Sequence, residues 1–427
     1  MEYTLIFLNI LLKMYLLMLY NADLVNDFDF IQNREMNMEN NTKLFSPITI
    51  RGVTIPNRIV LSPLCMYSAN DGVASDWQFA HLSTFARART GLIFAEASAV
   101  EARGRITPGC LGIWTDEQAE ALKPITSFIE RMGCIPGFQL AHAGRKAGTK
   151  SPWMGGTPLD QEDIEKGNPP WATIAPSDIP VAEGWVVPKA MDSDDILEVI
   201  TAFSNAAKRA VRAGFKVIEI HSAHGYLLHS FLSPLSNKRN DEYGGDIYGR
   251  MKMLLQVVDA VRNAIPKDMP LFCRISAVDG FEDGWKIEDS VILAKKLSEH
   301  GIDVVDCSSG GIAGAPLFRV DDAGKPLKTN MGRGPGFQVP YADRIKRDAK
   351  IKTMAVGVIV DPKQAENILL EEKADLIAMG RELMYNPFWP LHAAQTLKAD
   401  LKFDMWPEQY RWGVNRRATI ESFKGVR

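Results

Sequence analysis

Residues 192–226 read DSDDILEVITAFSNAAKRAVRAGFKVIEIHSAHGY, a capped helix, a buried strand and a polar strand end in succession. Asp192-Ser193 precedes Ile196, Val199, Ile200 and Phe203. A capping residue followed by apolar positions at helical spacing predicts a helix over 192–213. The run 217–221 is near-continuously apolar, as parallel strands buried on both faces are. It runs out into His221, His224 and Tyr226.

Seven further runs of the same kind lie at 59–62, 91–97, 135–141, 270–276, 304–308, 353–357 and 376–380. Helical patterns separate them, for instance 287–300 before the sixth run. Eight β-then-α units predict an α/β protein built as a (β/α)8 barrel rather than an open sheet. A length of 427 residues would suggest about three domains at roughly 150 residues each. A barrel absorbs most of that length in one. The expected division is an extension over 1–42, a barrel over 43–412 and a tail over 413–427.

Met1 to Tyr20 is largely apolar, but Lys13 interrupts it. That leaves it short of the roughly 20 clean residues a bilayer span needs. Glu2 stands where a secretory signal carries basic residues, and no small-x-small cleavage pattern follows. Residues 21–42 are polar, rich in Asn and Asp, and read as a linker. Three readings of the extension stay open: a dispensable segment, a membrane-surface anchor and a signal peptide. Membrane contact is expected only if residues 1–20 act as an anchor.

With 49 Lys+Arg against 52 Asp+Glu the formal charge is −3, which argues against nucleic acid as the main partner. Five scattered cysteines, Cys65, Cys110, Cys134, Cys273 and Cys307, form no C-x-x-C pair. Neither a disulfide framework nor a structural metal site is suggested, and a reducing, cytoplasmic setting is the expectation. Two segments rich in Gly and Pro, 150–188 and 310–340, follow the third and sixth runs. Barrel enzymes build pockets and lids at such strand ends, although surface decoration is the plainer alternative.

Chemistry-bearing residues collect where the runs end. The first passes into Ser62-Pro63-Leu64-Cys65-Met66-Tyr67, and the second ends at Glu96-Ala97. Gln139 closes the third, His221 the fourth, Arg274 the fifth and Ser308 the sixth. Gly357 closes the seventh and Gly380-Arg381 the eighth. Singly these residues carry little: a buried Cys65 is a small hydrophobe, Arg274 an ion-pair partner, a glycine a turn. The pair His221/His224 carries more. No third or fourth ligand stands at metal spacing, so no metal is expected, and two imidazoles can donate to one developing oxyanion. Tyr226 adds a hydroxyl able to supply a proton. Gly357 and Gly380 with Arg381 are what a phosphate site needs, since glycine lets oxygens reach backbone N–H groups and a guanidinium pairs with them. Together these features suggest a phosphorylated cofactor lying across the barrel mouth.

The motifs SPLCMY (62–67), QLAHAGRK (139–146), HSAHGYL (221–227), FLSPLSN (231–237) and DEYGG (241–245) together resemble the Old Yellow Enzyme family. Cys65 and Tyr67 are similar to its thermophilic-like branch. The resemblance runs from about Leu44 to Trp412. It implies an ene-reductase: an FMN-containing barrel, reduced by NADPH or NADH, that passes hydride to activated alkenes such as α,β-unsaturated carbonyls and nitro compounds. It places Ser62, Pro63, Leu64, Cys65 and Ala97 along the flavin, Gln139 at its pyrimidine edge and Arg274 beside its N1/C2 carbonyl. Ser308, Gly357, Gly380 and Arg381 fall at the ribityl chain and phosphate. His221 and His224 grip the substrate oxygen, Tyr67 contacts substrate and Tyr226 donates the proton. Family members also cap the pocket with an arginine from a neighbouring subunit, which implies a homo-oligomer. The tail Gln409-Tyr410-Arg411-Trp412-Gly413 is one residue out of register with that pattern, so a capping role for Arg411 stays open. Rival readings are a flavin barrel reductase of another class, a non-redox barrel isomerase or aldolase, and a flavoprotein that only binds ligands such as phenols.

Overall fold

The computed structural model describes residues 42–312 and 334–419. Eight strands close into one barrel: β1 (Ile59–Leu61), β2 (Leu92–Ala99), β3 (Ile135–Ala141), β4 (Val217–Ser222), β5 (Leu271–Ser276), β6 (Val304–Ser308), β7 (Lys352–Ala355) and β8 (Leu376–Met379). Each strand pairs in parallel with the next in the chain. β8 returns to β1 through Ile377↔Ile59 and Met379↔Leu61. The (β/α)8 expectation holds, and every strand lies within two residues of its apolar run.

The longer helices are α1 (Asp76–Arg87), α2 (Asp116–Arg131), α3 (Ser193–Arg212), α4 (Ile247–Ala264), α5 (Ile287–Glu299), α6 (Val339–Ala349), α7 (Pro362–Leu370) and α8 (Trp389–Thr396). α3 starts where the opening stretch says it should. The Asp192 side chain accepts from the Asp195 N–H, and the Asp195 side chain caps the Asp192 N–H in return. Its buried face carries Ile196, Val199, Phe203, Ala206 and Ala210. Phe203 is fully buried in the core between strands and helices. Phe203→Ala should therefore cost about 3–5 kcal/mol through lost contact and a residual cavity. Chemical denaturation should show a lower midpoint with an unchanged slope.

Inside the barrel a second core sits towards the N-terminal ends of the strands. It joins Val60, Leu92, Phe94, Val217, Phe272, Val304, Met354 and Leu376 to Ile48, Ile50 and Ile55. The last three belong to a hairpin, Ile48–Ile50 against Val53–Ile55, that plugs the barrel floor. Sequence reading passed over this hairpin, because three-residue strands leave no periodicity to detect. Above the apolar floor the inward positions turn polar: Gln139, Glu219, His221, Arg274, Asp306 and Ser308 are all buried there.

The 150–188 segment forms a turn at Pro152–Met154, a short helix at Gln161–Glu165 and a strand, Ile174–Ala175, that pairs with Lys189–Ala190. Most of the 310–340 segment, the 1–42 extension except its last residue, and the end of the tail lie outside the described residues. Among the described residues no helix is long and apolar enough to cross a membrane.

Candidate active site

Three loops at the C-terminal ends of the strands hold residues in the left-handed region that side chains normally avoid. They are Tyr67 at φ 51°, His224 at φ 61° and Val358 at φ 54°. Such strain persists only where surrounding structure over-determines it, and it clusters at functional sites. At 224 the cause is visible. A Cβ on Gly225 would stand 2.3 Å from Gly311 O, and one on Gly311 would stand 2.5 Å from the His224 Cα. Two backbones thus touch, the His224 N–H donates to Ser276 Oγ at 2.9 Å, and the His224 ring is fixed over the mouth.

The loop after β4 brings three rings together. His221 lies 5.2 Å from His224 and 5.1 Å from Tyr226, centroid to centroid, each edge to face. His224 Nε2 is 2.7 Å from Ser308 Oγ, while His221 Nδ1 is buried with no partner. Burial holds both imidazoles well below the usual range, and Arg274 pushes the same way, so both are neutral. Burial also raises the Tyr226 hydroxyl above its ordinary range, so it keeps its proton. Tyr67 lies beside the Cys65 thiol and meets Trp153 of the 150–188 segment at 5.8 Å. Glu96 steadies this loop by accepting from the Met66 N–H at 3.0 Å and from Gln78 at 3.2 Å. Burial pushes its carboxyl up to about 7.

Ser62, Pro63, Leu64, Arg274, Ser308, Gly357, Gly380 and Arg381 line one cleft of about 530 Å³, within the range usual for cofactor pockets. Three expected members stand apart. Ala97 lines a small separate cavity together with Tyr226. Cys65 faces Tyr67. Gln139 lies inside the barrel, where its amide donates to Glu219 at 2.8 Å. Ser308 bridges the two halves of the site, because it lines the cleft and also contacts His224. Arg411 pairs with Asp404 on the C-terminal segment.

Sequence reading assigned no role to Lys146, Glu219 or Asp306. Lys146 Nζ donates to His224 O at 2.8 Å and to Gly311 O, and lies 5.7 Å from the Tyr226 ring. It clamps the two touching loops. Burial, with Arg145 adjacent, lowers its ammonium to about 7. Its signal was its place directly after Arg145 in a quoted motif.

A model of the NADH:flavin oxidoreductase / NADH oxidase family matches residues 43–400. The chain belongs to this family. It is 47% identical over 358 residues to a NADPH dehydrogenase of Geobacillus sp. (strain WCH70), covering 83% of this chain and 95% of that one. It is 43% identical over 389 residues to an NADH:flavin oxidoreductase of Gibberella zeae, covering 88% and 90%. Among solved structures, morphinone reductase aligns at a TM-score of 0.66 and 25% identity over 83% of this chain and 90% of that one. A Zymomonas mobilis old yellow enzyme homologue aligns at 0.65 and 25% over 83% and 92%. A 2-naphthoyl-CoA reductase, of which this chain spans about half (52%), shares the fold at a TM-score of 0.72 and 22% identity.

As a member of the Old Yellow Enzyme family the protein is an FMN-dependent oxidoreductase with NADPH or NADH as reductant, and its cleft fits that cofactor. A Cβ on Gly380 would stand 3.2 Å from Leu64, and one on Gly357, at φ 122°, would stand 3.1 Å from the Gln338 amide. Side chains there would fill the cradle. Ser62 Oγ is buried with no hydrogen-bond partner, and Arg381 together with Arg274, whose Nε is ion-paired to Asp306, supplies positive charge to the lining.

Proposed function

We propose that this enzyme reduces activated alkenes, α,β-unsaturated carbonyls and nitroalkenes, with reducing equivalents from NADPH or NADH. The observation that carries the reading is the loop after β4. Two neutral imidazoles and a protonated phenol converge there within about 5 Å of one another, with His221 Nδ1 left unpartnered. Bound in the adjacent cleft, FMN supplies hydride chemistry that no side chain offers.

The side chains do the rest. His221 and His224 donate to the carbonyl or nitro oxygen and draw electron density from the β-carbon, so hydride arrives there more readily. Tyr226, holding its proton beside His221, delivers it to the α-carbon. Tyr67 walls the substrate, its ring set edge-on to Trp153. Ser62, Pro63, Leu64, Ser308, Gly357, Gly380 and Arg381 bind the cofactor, with Arg274 and Gln139 at its polar edge and Cys65 and Ala97 along it. Under nitrogen, NADPH oxidation should depend on added cyclohexenone and yield cyclohexanone. NADPH oxidation that no activated alkene stimulates would overturn the reading.

Because both imidazoles sit well below the usual range, they stay neutral where an ordinary histidine, near 6.5, would protonate. Neither imidazole should contribute an inflection to enone reduction between pH 8 and pH 6, and any inflection there should follow Lys146 or Glu96, both moved to about 7, and vanish in Lys146→Met or Glu96→Gln. Stopped-flow reoxidation across that range checks it.

Residues 43–412 are proposed as the catalytic unit. A chain starting at residue 42 should keep flavin content and enone reduction within about twofold, since the floor hairpin and all eight strands follow that point. Co-purified flavin and turnover of the shortened chain are the readouts.

A further inference from the structure

Below the mouth the barrel carries two carboxyl groups, Glu219 and Asp306, to which the proposed reaction gives no role. Glu219 on β4, Arg274 on β5 and Asp306 on β6 occupy three consecutive strands, and Arg274 and Asp306 are register partners. Glu219 and Asp306 are fully buried, and Arg274 is 8% exposed. Two carboxyl groups thus face one guanidinium just above a floor of Val217, Phe272 and Val304. The guanidinium is taken: Arg274 Nε stands 3.1 Å from Asp306 Oδ2, an ion pair in contact though not in hydrogen-bond alignment. Glu219 has no cation of its own. Its Oε1 accepts from Gln139 Nε2 at 2.8 Å, and its Oε2 is buried without a partner. His221 stands two residues further along the same inward face. Cys273 and Cys307 alternate to the outer face and belong to the core beneath the helices.

Two ionised carboxylates against one guanidinium would leave a net negative charge in a medium that cannot solvate it, so one carboxyl keeps its proton. Asp306 touches the cation and Glu219 does not.

We propose that Glu219 carries that proton and acts as a positioning residue beneath the cofactor: as a neutral acid it fixes the Gln139 amide and leaves the ionised pair there to Arg274 and Asp306. Burial, with the Asp306 charge added, drives the Glu219 carboxyl well above the usual range, against Arg274 and Gln139. With its NH2 end committed to Glu219, Gln139 offers Oε1 as an acceptor to the cofactor's N–H edge. The neutral layer also matters electrostatically. Reduction adds electrons to the cofactor directly above, and an ionised Glu219 would oppose them. The inference rests on the family's cofactor and not on the alkene substrate.

The test uses the FMN-loaded enzyme and its Glu219→Gln and Glu219→Leu variants. At pH 8, infrared spectra of the parent should contain the C=O stretch of a buried protonated carboxylic acid, and Glu219→Gln should lack it. Glutamine is neutral and still accepts from Gln139, so it should rescue: FMN titrated into the apoprotein binds within about twofold of the parent, and the reduction potential is unmoved. Glu219→Leu removes the acceptor and should weaken FMN binding about tenfold, the scale of one net hydrogen bond. The absence of the band, or a potential that rises in Glu219→Gln as it would on deleting a negative charge, overturns the proposal. So does a leucine variant that binds FMN like the parent. Should the leucine variant not fold, the band and the potential of Glu219→Gln still decide.

Discussion

His221→Ala and His224→Ala each slow reoxidation of the reduced enzyme by cyclohexenone by roughly 10²–10³-fold, the scale of losing one preorganised oxyanion donor. Reduction by NADPH needs no polarised carbonyl and should fall far less. Asparagine at either position should be milder, because the amide still donates. The neutral state of both rings matters here. Each ring keeps one N–H to give, and no net charge has to be buried when a substrate displaces water. His224 is committed in part to Ser308, so its loss also frees a hydroxyl on the cofactor side. His221, with Nδ1 unpartnered, leaves no freed hydroxyl behind, but its loss removes the ring against which His224 and Tyr226 pack. Anaerobic stopped-flow of the two half-reactions separates these effects. Parent-like reoxidation in the alanine variants would remove the oxygen clamp from the account.

Tyr226→Phe comes second in size. It should slow enone reduction by about 10²-fold or more, the contribution of a positioned general acid. The same variant should spare nitroalkenes, whose nitronate product is stable without immediate protonation. The Tyr226 hydroxyl stays protonated far beyond neutral pH because it is buried, so its role is to hold a proton until a strong carbon base appears beside it. Packing against His221 at 5.1 Å fixes the ring whether or not the oxygen is present. A Tyr226→Phe variant equally slow with both substrate classes would mean that the ring, not the proton, is what matters.

Much of this was legible in the chain because buried parallel strands read as unbroken apolar runs. An intrusion at the end of such a run then stands out, as His221 and Ser308 do. The contacts between strand ends were not legible. Ser308 meets His224 across 84 positions, and spacing along the chain says nothing about neighbours around a barrel. Lys146 was hidden for the same reason, since what it clamps is the meeting of two loops. Glu219 and Asp306 are a different kind of miss. Each is an ionisable residue inside an apolar run, as is Arg274 on the strand between them. Three ionisable residues inside the apolar runs of consecutive strands are costly to bury, and that cost was a signal the sequence already carried. The floor hairpin lay beyond reach, because strands of three residues are decided by what packs on them.

The measurement that bears most directly on the central claim is a single turnover with labelled reductant. The enzyme, one equivalent of NADPH carrying deuterium at both C4 positions and excess cyclohexenone are mixed together anaerobically in ordinary water, so that transfer to the alkene follows reduction before the label can exchange with solvent. The account predicts cyclohexanone with deuterium at the β-carbon and protium at the α-carbon. A reduced enzyme that yields no saturated ketone, or ketone with deuterium at the α-carbon alone, would contradict it.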